Sequence, residues 1–369
     1  MYIAKIIVSG FPLLQDNTIL DFTMKTATKK PGYDLELKQV SMYQFMPVCH
    51  LFYGGNEEGK ENVILLLHFC YQILLEGRIL PLPTSLSHEI SLQIYFYEAE
   101  RTYFYRCRIG RKENTAVFLF QDLFCKTAYS KRESHHLNGR YKRVMYPKLQ
   151  LATMSIIPVI LPMKHTFFIC DSHLSKLQLM QRVYYLYIQL NSSMKPKILQ
   201  LCSLPFTSMF YDGKGHFLLS YPHCEIIETI HQVLQLFSFE NLECLYILIS
   251  AYLALEQGAT LILSSLDTIP LSVAYHIIHL FLDKQMNRHS AGIIFFTHQC
   301  AFADLFHRDD SIYLLMKEKG RYEVHCYCDE FQNARVLKSK VLEKDLRMRA
   351  FDLKLLNELR TMLLHKIRS

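Results

Sequence analysis

The apolar positions at the start of the chain fall in the order strand, loop, helix. Residues 2–9 alternate as a short strand, and Phe11 to Phe22 reads as a loop followed by a second strand. Val48 to Tyr53 is an apolar run that ends on glycines. Glu61 to Glu76 then has the apolar spacing of a helix, with Gly77 as its stop. From Glu89 to Phe120 the period changes to two. Ile90–Tyr97 and Thr102–Ile109 predict a hairpin about Glu98–Arg101, and Thr115 to Phe120 adds a third strand. Residues 172–195 return to helical spacing, as in an inserted helical arm, and Asp212 to His216 is a turn.

Helix and strand alternate in the second half. Helices are expected over Cys224 to Phe237 and over Asn241 to Gln257, the latter ended by Gly258. Thr260 to Ser264 is a strand, Leu271 to Asn287 a long amphipathic helix, and Gly292 to Thr297 a buried strand. Two strands, Ser311–Lys317 and Tyr322–Tyr327, meet at Lys319-Gly320. Phe351 to Ile367 predicts a helix with Leu355, Leu356, Leu359, Met362, Leu363 and Ile367 on one face. The longest apolar segment, Leu242 to Ser265, is broken by Glu243, Glu256, Gln257 and Gly258. It reads as buried helix, turn and strand, so no membrane association is expected.

The chain of 369 residues is half hydrophobic and 20% charged, enough for a large buried core and too apolar for disorder. A formal charge of +7 permits contact with nucleic acid without demanding it. Eleven cysteines form an odd set, and the first residues lack a signal-peptide layout, so a reduced, cytoplasmic protein is expected. Cys326-x-Cys328 beside His325 is the one tight cysteine pair. A zinc motif needs a second pair at similar spacing, so the pair reads as an alternating strand and no metal site is expected.

The chemistry concentrates in Tyr53-Gly-Gly-Asn-Glu-Glu-Gly-Lys-Glu-Asn62. Gly54, Gly59 and Lys60 have the spacing of a phosphate-binding loop, in which backbone N–H groups cradle phosphates and the lysine reaches the β/γ oxygens. The hydroxyl that should follow the lysine and hold Mg²⁺ is replaced by Glu61, and Glu57 and Glu58 add charge within the loop. Glu57 and Glu58 are free to turn to solvent. Glu61 is expected to face the metal position and to pair internally with Lys60.

The order of these parts resembles the ABC-type AAA ATPases, in particular the stand-alone group of bacterial abortive-infection and anti-phage systems. That group is related to the ATPase part of OLD-family nucleases and to the heads of SMC-like proteins. The N-terminal run Ile7 to Phe22, the G-x-N-x-x-G-K loop and the terminal Phe295-Phe-Thr-His298 carry the resemblance. It implies an α/β, P-loop NTPase-like (ABC/SMC-head-like) mixed sheet flanked by helices, with a β-rich and helical insertion. The implied parts are residues 1–84 with the loop, 85–222 as the insertion, 223–325 completing the ATPase-like domain, and 326–369 as an extension.

The resemblance also implies site residues. Gly54, Asn56, Gly59, Lys60, Glu61 and Asn62 occupy the phosphate loop. Ser264 and Ser265 stand where the Walker B strand should carry its metal-holding acid and its water-polarising Glu. Asp267 matches the D-loop aspartate and His298 the switch histidine. Ser238, Glu240 and Asn241 fall at the signature motif, with Glu240 in place of its glycine. ATP and Mg²⁺ are the cofactors such a site takes. Loss at Glu61, Ser264, Ser265 and Glu240 implies a vestigial site in a scaffold or regulatory protein. The alternatives are an active or nucleotide-sensing ATPase with Asp267 and Glu61 as substitute acids, and a nucleic-acid-binding SMC-like module. The implied partner is a second copy or another defence protein.

The basic stretch Lys131–Arg143 reads as an exposed loop, with Lys131, Arg132, Arg140, Lys142 and Arg143 as candidate nucleic-acid contacts. Asp212, His216 and Cys224 form no triad that spacing supports. His276 and His279 lack an acidic third ligand.

Overall fold

The computed structural model of the chain describes residues 1–25, 36–41, 44–54, 57–80, 89–112, 115–127, 137, 141–145, 153–161, 163, 165–170, 174–331 and 338–342. The first part contributes β1 (Tyr2–Ser9), β2 (Thr18–Asp21), β3 (Leu37–Ser41), β4 (Gln44–Pro47), β5 (Cys49–Gly54) and α1 (Glu57–Leu75). Strands β6 (Ile90–Glu98), β7 (Arg101–Lys112), β8 (Thr115–Thr127) and β9 (Lys142–Arg143) follow. Next come α2 (Ile157–Ile160), β10 (Phe167–Cys170), α3 (Lys176–Tyr187) and α4 (Lys195–Leu201). The remainder is β11 (Ser208–Tyr211), β12 (His216–Ser220), β13 (Glu225–Thr229), α5 (Ile230–Leu236), α6 (Phe239–Gln257), β14 (Thr260–Leu263) and α7 (Leu271–Leu282). Strands β15 (Gly292–Thr297), β16 (Ile312–Glu318) and β17 (Arg321–Cys326) and the short helix α8 (Tyr327–Glu330) close the described part.

Two six-stranded sheets organise the molecule. The main sheet has the order β10-β14-β15-β5-β16-β17, parallel except for β17. The second, β2-β1-β6-β7-β8-β9, is antiparallel throughout. Because strand side chains alternate, the main sheet feeds two cores. Leu51, Leu261, Leu263, Ile293 and Phe295 pack into the core that holds α3, α6 and α7. Phe52, Ile262, Ile294 and Phe296 pack on the opposite side, with α1 and the second sheet.

Within residues 85–222, β6 pairs with β1 along its length, and β10 is an edge strand of the main sheet. Two helices differ from expectation. The helix expected over Cys224–Phe237 is a strand first. Glu225–Thr229 pairs in register with β12, and Thr229 then caps α5 through a reciprocal capping box with Gln232. The helix expected to reach Asn287 stops at Leu282. Asn287 is buried and its amide builds the following loop, donating to the carbonyls of Phe281 and Ala291 and accepting from the Ala291 N–H. The expected helix 351–367 lies outside the described residues. No single described helix is long and apolar enough to cross a membrane. Helices α5 and α6 pass that test only together, and they bend by 92° where they meet.

Gly258 sets the geometry of the turn into β14. It closes α6 at φ +66°, and its N–H donates to the Ala254 carbonyl. A Cβ there would stand 2.6 Å from the His289 carbonyl oxygen. Gly258→Ala therefore combines a left-handed backbone with a backbone clash, and should cost about 1–3 kcal/mol. The midpoint of urea unfolding measures this; an unchanged midpoint would show that the turn relaxes freely.

Candidate functional site

Adjacent parallel strands carry the candidate residues to one edge of the main sheet. β14 pairs with β15 through Leu263 and Phe295, and β15 pairs with β5 through Thr297 and Tyr53. The carboxyl ends of these strands therefore deliver Ser264–Asp267, Thr297–His298 and Gly54 side by side. This is where open α/β sheets bind ligands. Gly54 ends β5 at φ +83°, a conformation that suits glycine. Gly55 and Asn56 lie outside the described residues, and α1 begins at Glu57.

The start of α1 decides which carboxylate meets the lysine. The helix opens four residues before the expected Glu61, so Glu57 stands one turn ahead of Lys60 and on its face. Lys60 is 1% exposed, and its ammonium lies 3.6 Å from Glu57 Oε1 and 3.8 Å from Asp267 Oδ2. These separations exceed hydrogen-bond length, so the contacts are electrostatic. Burial lowers the Lys60 pKa, and the two carboxylates oppose that shift without cancelling it. Glu61 is exposed; the carboxylate beside the ammonium is Glu57, itself 56% exposed. Expectation gave that place to Glu61; helical periodicity puts Glu57, still open to solvent, one turn from the lysine.

Asp267 is the second organising group. One of its oxygens accepts the Thr297 hydroxyl, and the other accepts the His298 N–H at 2.9 Å. Its own N–H donates to Ser265 Oγ at 3.0 Å, so Ser265 shapes the turn after β14. Ser264 is buried, and its N–H donates to the Cys170 carbonyl at 3.0 Å. His298 Nε2 is 3.2 Å from Glu57 Oε1, which closes a ring of side chains over Lys60. Burial acts to raise the Glu57 pKa, but His298 and Lys60 outweigh it and hold the carboxyl below its ordinary value. The structure thus brings Lys60, Asp267 and His298 together. It adds Glu57 and Thr297, neither of which expectation gave a role.

The remaining loop positions do local work. A Cβ on Gly59 would lie 2.7 Å from the Tyr322 ring, so this glycine admits the aromatic side chain of β17. Glu58 accepts from Tyr322 Oη at 3.2 Å and Lys317 Nζ at 3.3 Å, binding the first turn of α1 to the β16–β17 hairpin. Asn62 donates within the helix to the Glu58 carbonyl at 2.7 Å.

The other candidates stand apart from this ring. Ser238 caps α6, accepting from the Asn241 N–H at 3.0 Å, and Glu240 is exposed in the first turn, where a carboxylate favours the helix dipole. Lys131, Arg132 and Arg140 lie outside the described residues. Lys142 is exposed on β9. Arg143 pairs with the buried carboxylate of Asp122, which also takes Arg106 at 2.8 Å, so Arg143 pins β9 to β8. Asp212 and His216 meet at 3.2 Å within their own exposed turn. His276 and His279 are exposed on α7. The expected alternating strand at Cys326 and Cys328 ends at Cys326, and Cys328 lies in α8.

No family model and no curated protein matches the sequence. Among solved structures the chain is similar to the SMC head domain from Thermotoga maritima, at 11% identity and a TM-score of 0.42, over 88% of this chain and 99% of that one.

Proposed function

We propose that this chain is a catalytically degenerate ABC/AAA-type ATPase-like protein, a scaffold or regulatory subunit rather than an ATP hydrolase. One observation supports this above the others. The lysine at the phosphate-loop position is already enclosed by Glu57 and Asp267, while the two positions that should supply acids at the end of β14 are serines. Incoming phosphates meet two carboxylates as well as one ammonium. Each carboxylate about 4 Å from a phosphate charge opposes binding by on the order of 4 kcal/mol at an effective dielectric near 20. Neither Ser264 nor Ser265 can act as a carboxylate base toward water, a role worth about 10²–10⁴ in rate.

The setting, a bacterial anti-phage defence complex assembled with a second copy or another defence protein, rests on the motif resemblance. A nucleotide-sensing variant of this reading draws support from Asp267, an acid 3.8 Å from Lys60 that could serve a metal shell in place of the missing ones.

Calorimetric titration with ATP, with and without Mg²⁺, tests both readings beside Lys60→Ala. Mg²⁺-independent weak or absent binding, with no phosphate release, is expected. Binding that Lys60→Ala abolishes would favour the sensor. Sustained Mg²⁺-dependent turnover lost in Lys60→Ala would overturn the proposal.

A further inference from the structure

Beyond the phosphate-loop edge, a second set of convergent side chains occupies the far end of the main sheet. Strand β17 ends at Cys326, and the chain turns at once into α8, which carries Cys328 and Asp329. The turn brings the two sulfurs to 2.9 Å, and both lie with a carboxylate oxygen of Asp329 inside a span of 4.8 Å. Cys326 is buried, Cys328 half-buried and Asp329 exposed, so the cluster has a solid floor and an open mouth. Lys25 reaches in from the N-terminal segment to pair with Asp329.

We propose that Cys326, Cys328 and Asp329 bind one thiophilic divalent cation of the zinc class. Charge supports the assignment. Two thiolates, one carboxylate and the Lys25 ammonium sum to two negative charges, which a divalent ion neutralises. Donor type agrees: paired thiolates select soft or borderline cations over Mg²⁺ or Ca²⁺. Geometry needs a small adjustment. Two thiolates on a tetrahedral zinc at about 2.3 Å stand about 3.8 Å apart, so the sulfurs open by about 0.9 Å, which rotation of the half-buried Cys328 supplies. Binding sends the remaining thiol protons to solvent and leaves one corner of the tetrahedron for water. His325 does not fill that corner, because its ring nitrogens each lie 2.8 Å from a carboxylate, Glu323 on one side and Glu330 on the other. The sequence hid this site because two cysteines and one aspartate within four residues lack the second pair of a zinc motif.

The test uses the full chain, reduced, titrated with Co²⁺ and then displaced by Zn²⁺. One equivalent with thiolate-to-cobalt charge-transfer absorption and tetrahedral ligand-field bands is expected, bleached by zinc. Cys328→Ser should remove about half of the charge-transfer intensity and weaken binding by more than about tenfold. Asp329→Asn should keep the intensity, because both thiolates remain, and weaken binding by removing one charged ligand. Cys224→Ser, at an exposed thiol elsewhere, should change nothing. Absence of the absorption in the reduced wild type, or its full survival in Cys328→Ser, would overturn the proposal.

Discussion

Lys38→Met should stabilise the protein at pH 6, and the gain should shrink as the pH rises toward 10. Lys38 belongs to β3 yet is 7% exposed, and it lines a cavity of about 20 Å³ with Tyr2, His50, Tyr71, Thr260 and Gly292. Its ammonium lies 4.1 Å from the centre of the Tyr2 ring. Gly292 makes the room, since a Cβ there would stand 2.6 Å from Nζ. Burial pushes the Lys38 pKa down to about 7, with only the Cys49 thiol opposing the shift. The same surroundings hold His50 neutral, its pKa lowered to about 3 by burial and by Lys38.

The sign follows from proton counting. Between about 7 and the ordinary 10.5 the folded state binds fewer protons than the unfolded chain, so stability rises with pH across that window. Below about 7 both states are charged and the folded one carries the full penalty. At about 1.4 kcal/mol per pH unit the window amounts to ~5 kcal/mol, an upper bound that the lost ring contact reduces by about 1–2 kcal/mol. Urea unfolding of both proteins at pH 6 and pH 9.5 should therefore give a gain of about 2–4 kcal/mol at the lower pH, falling to about 1 kcal/mol at the higher. Parallel stability profiles for the two proteins would refute a buried, depressed lysine.

The sequence exposes the central strands β5, β14 and β15 because each is a run buried on both faces, as in Gly292–Thr297 and Thr260–Leu263. It also exposes the β6–β7 hairpin, whose alternation is clean. It hides which sheet a strand joins. Nothing local in Ile90–Glu98 says that its partner is Tyr2–Ser9, a pairing across the whole of β5 and α1. Helix starts were legible only to within a turn, and here a turn decides the chemistry. Placing the start of α1 at Glu61 makes that residue the lysine's neighbour, whereas a start at Glu57 gives the role to Glu57. Asp267 and His298 were legible as motif positions. That one's carboxylate receives the other's backbone N–H depends on the adjacency of β14 and β15, which only the folded sheet supplies.

Asp310→Ala should cost about 3–5 kcal/mol, because it strands a charge with no exposure to water. Arg308 and Asp310 are each 0% exposed and face one another as a two-point pair, Nε donating to Oδ1 at 2.9 Å and the guanidinium donating again to Oδ2. Asp310 Oδ2 also accepts the Lys25 N–H at 2.9 Å, and Glu36 accepts the N–H groups of His307 and Arg308 at 2.6 Å and 3.0 Å. Two segments from the first 36 residues are thereby fastened to the connection that enters β16. That strand pairs with β5, and its hairpin partner β17 supplies the Tyr322 ring packed on Gly59. Loss of the carboxylate leaves the guanidinium to be solvated by opening this connection. A double variant, Arg308→Leu with Asp310→Leu, removes both charges and keeps apolar bulk, so it should recover most of the loss. Denaturant midpoints for the single and double variants decide the matter. Equal losses would mean that volume rather than charge holds the joint, and a single variant within about 0.5 kcal/mol of wild type would place it among ordinary surface substitutions.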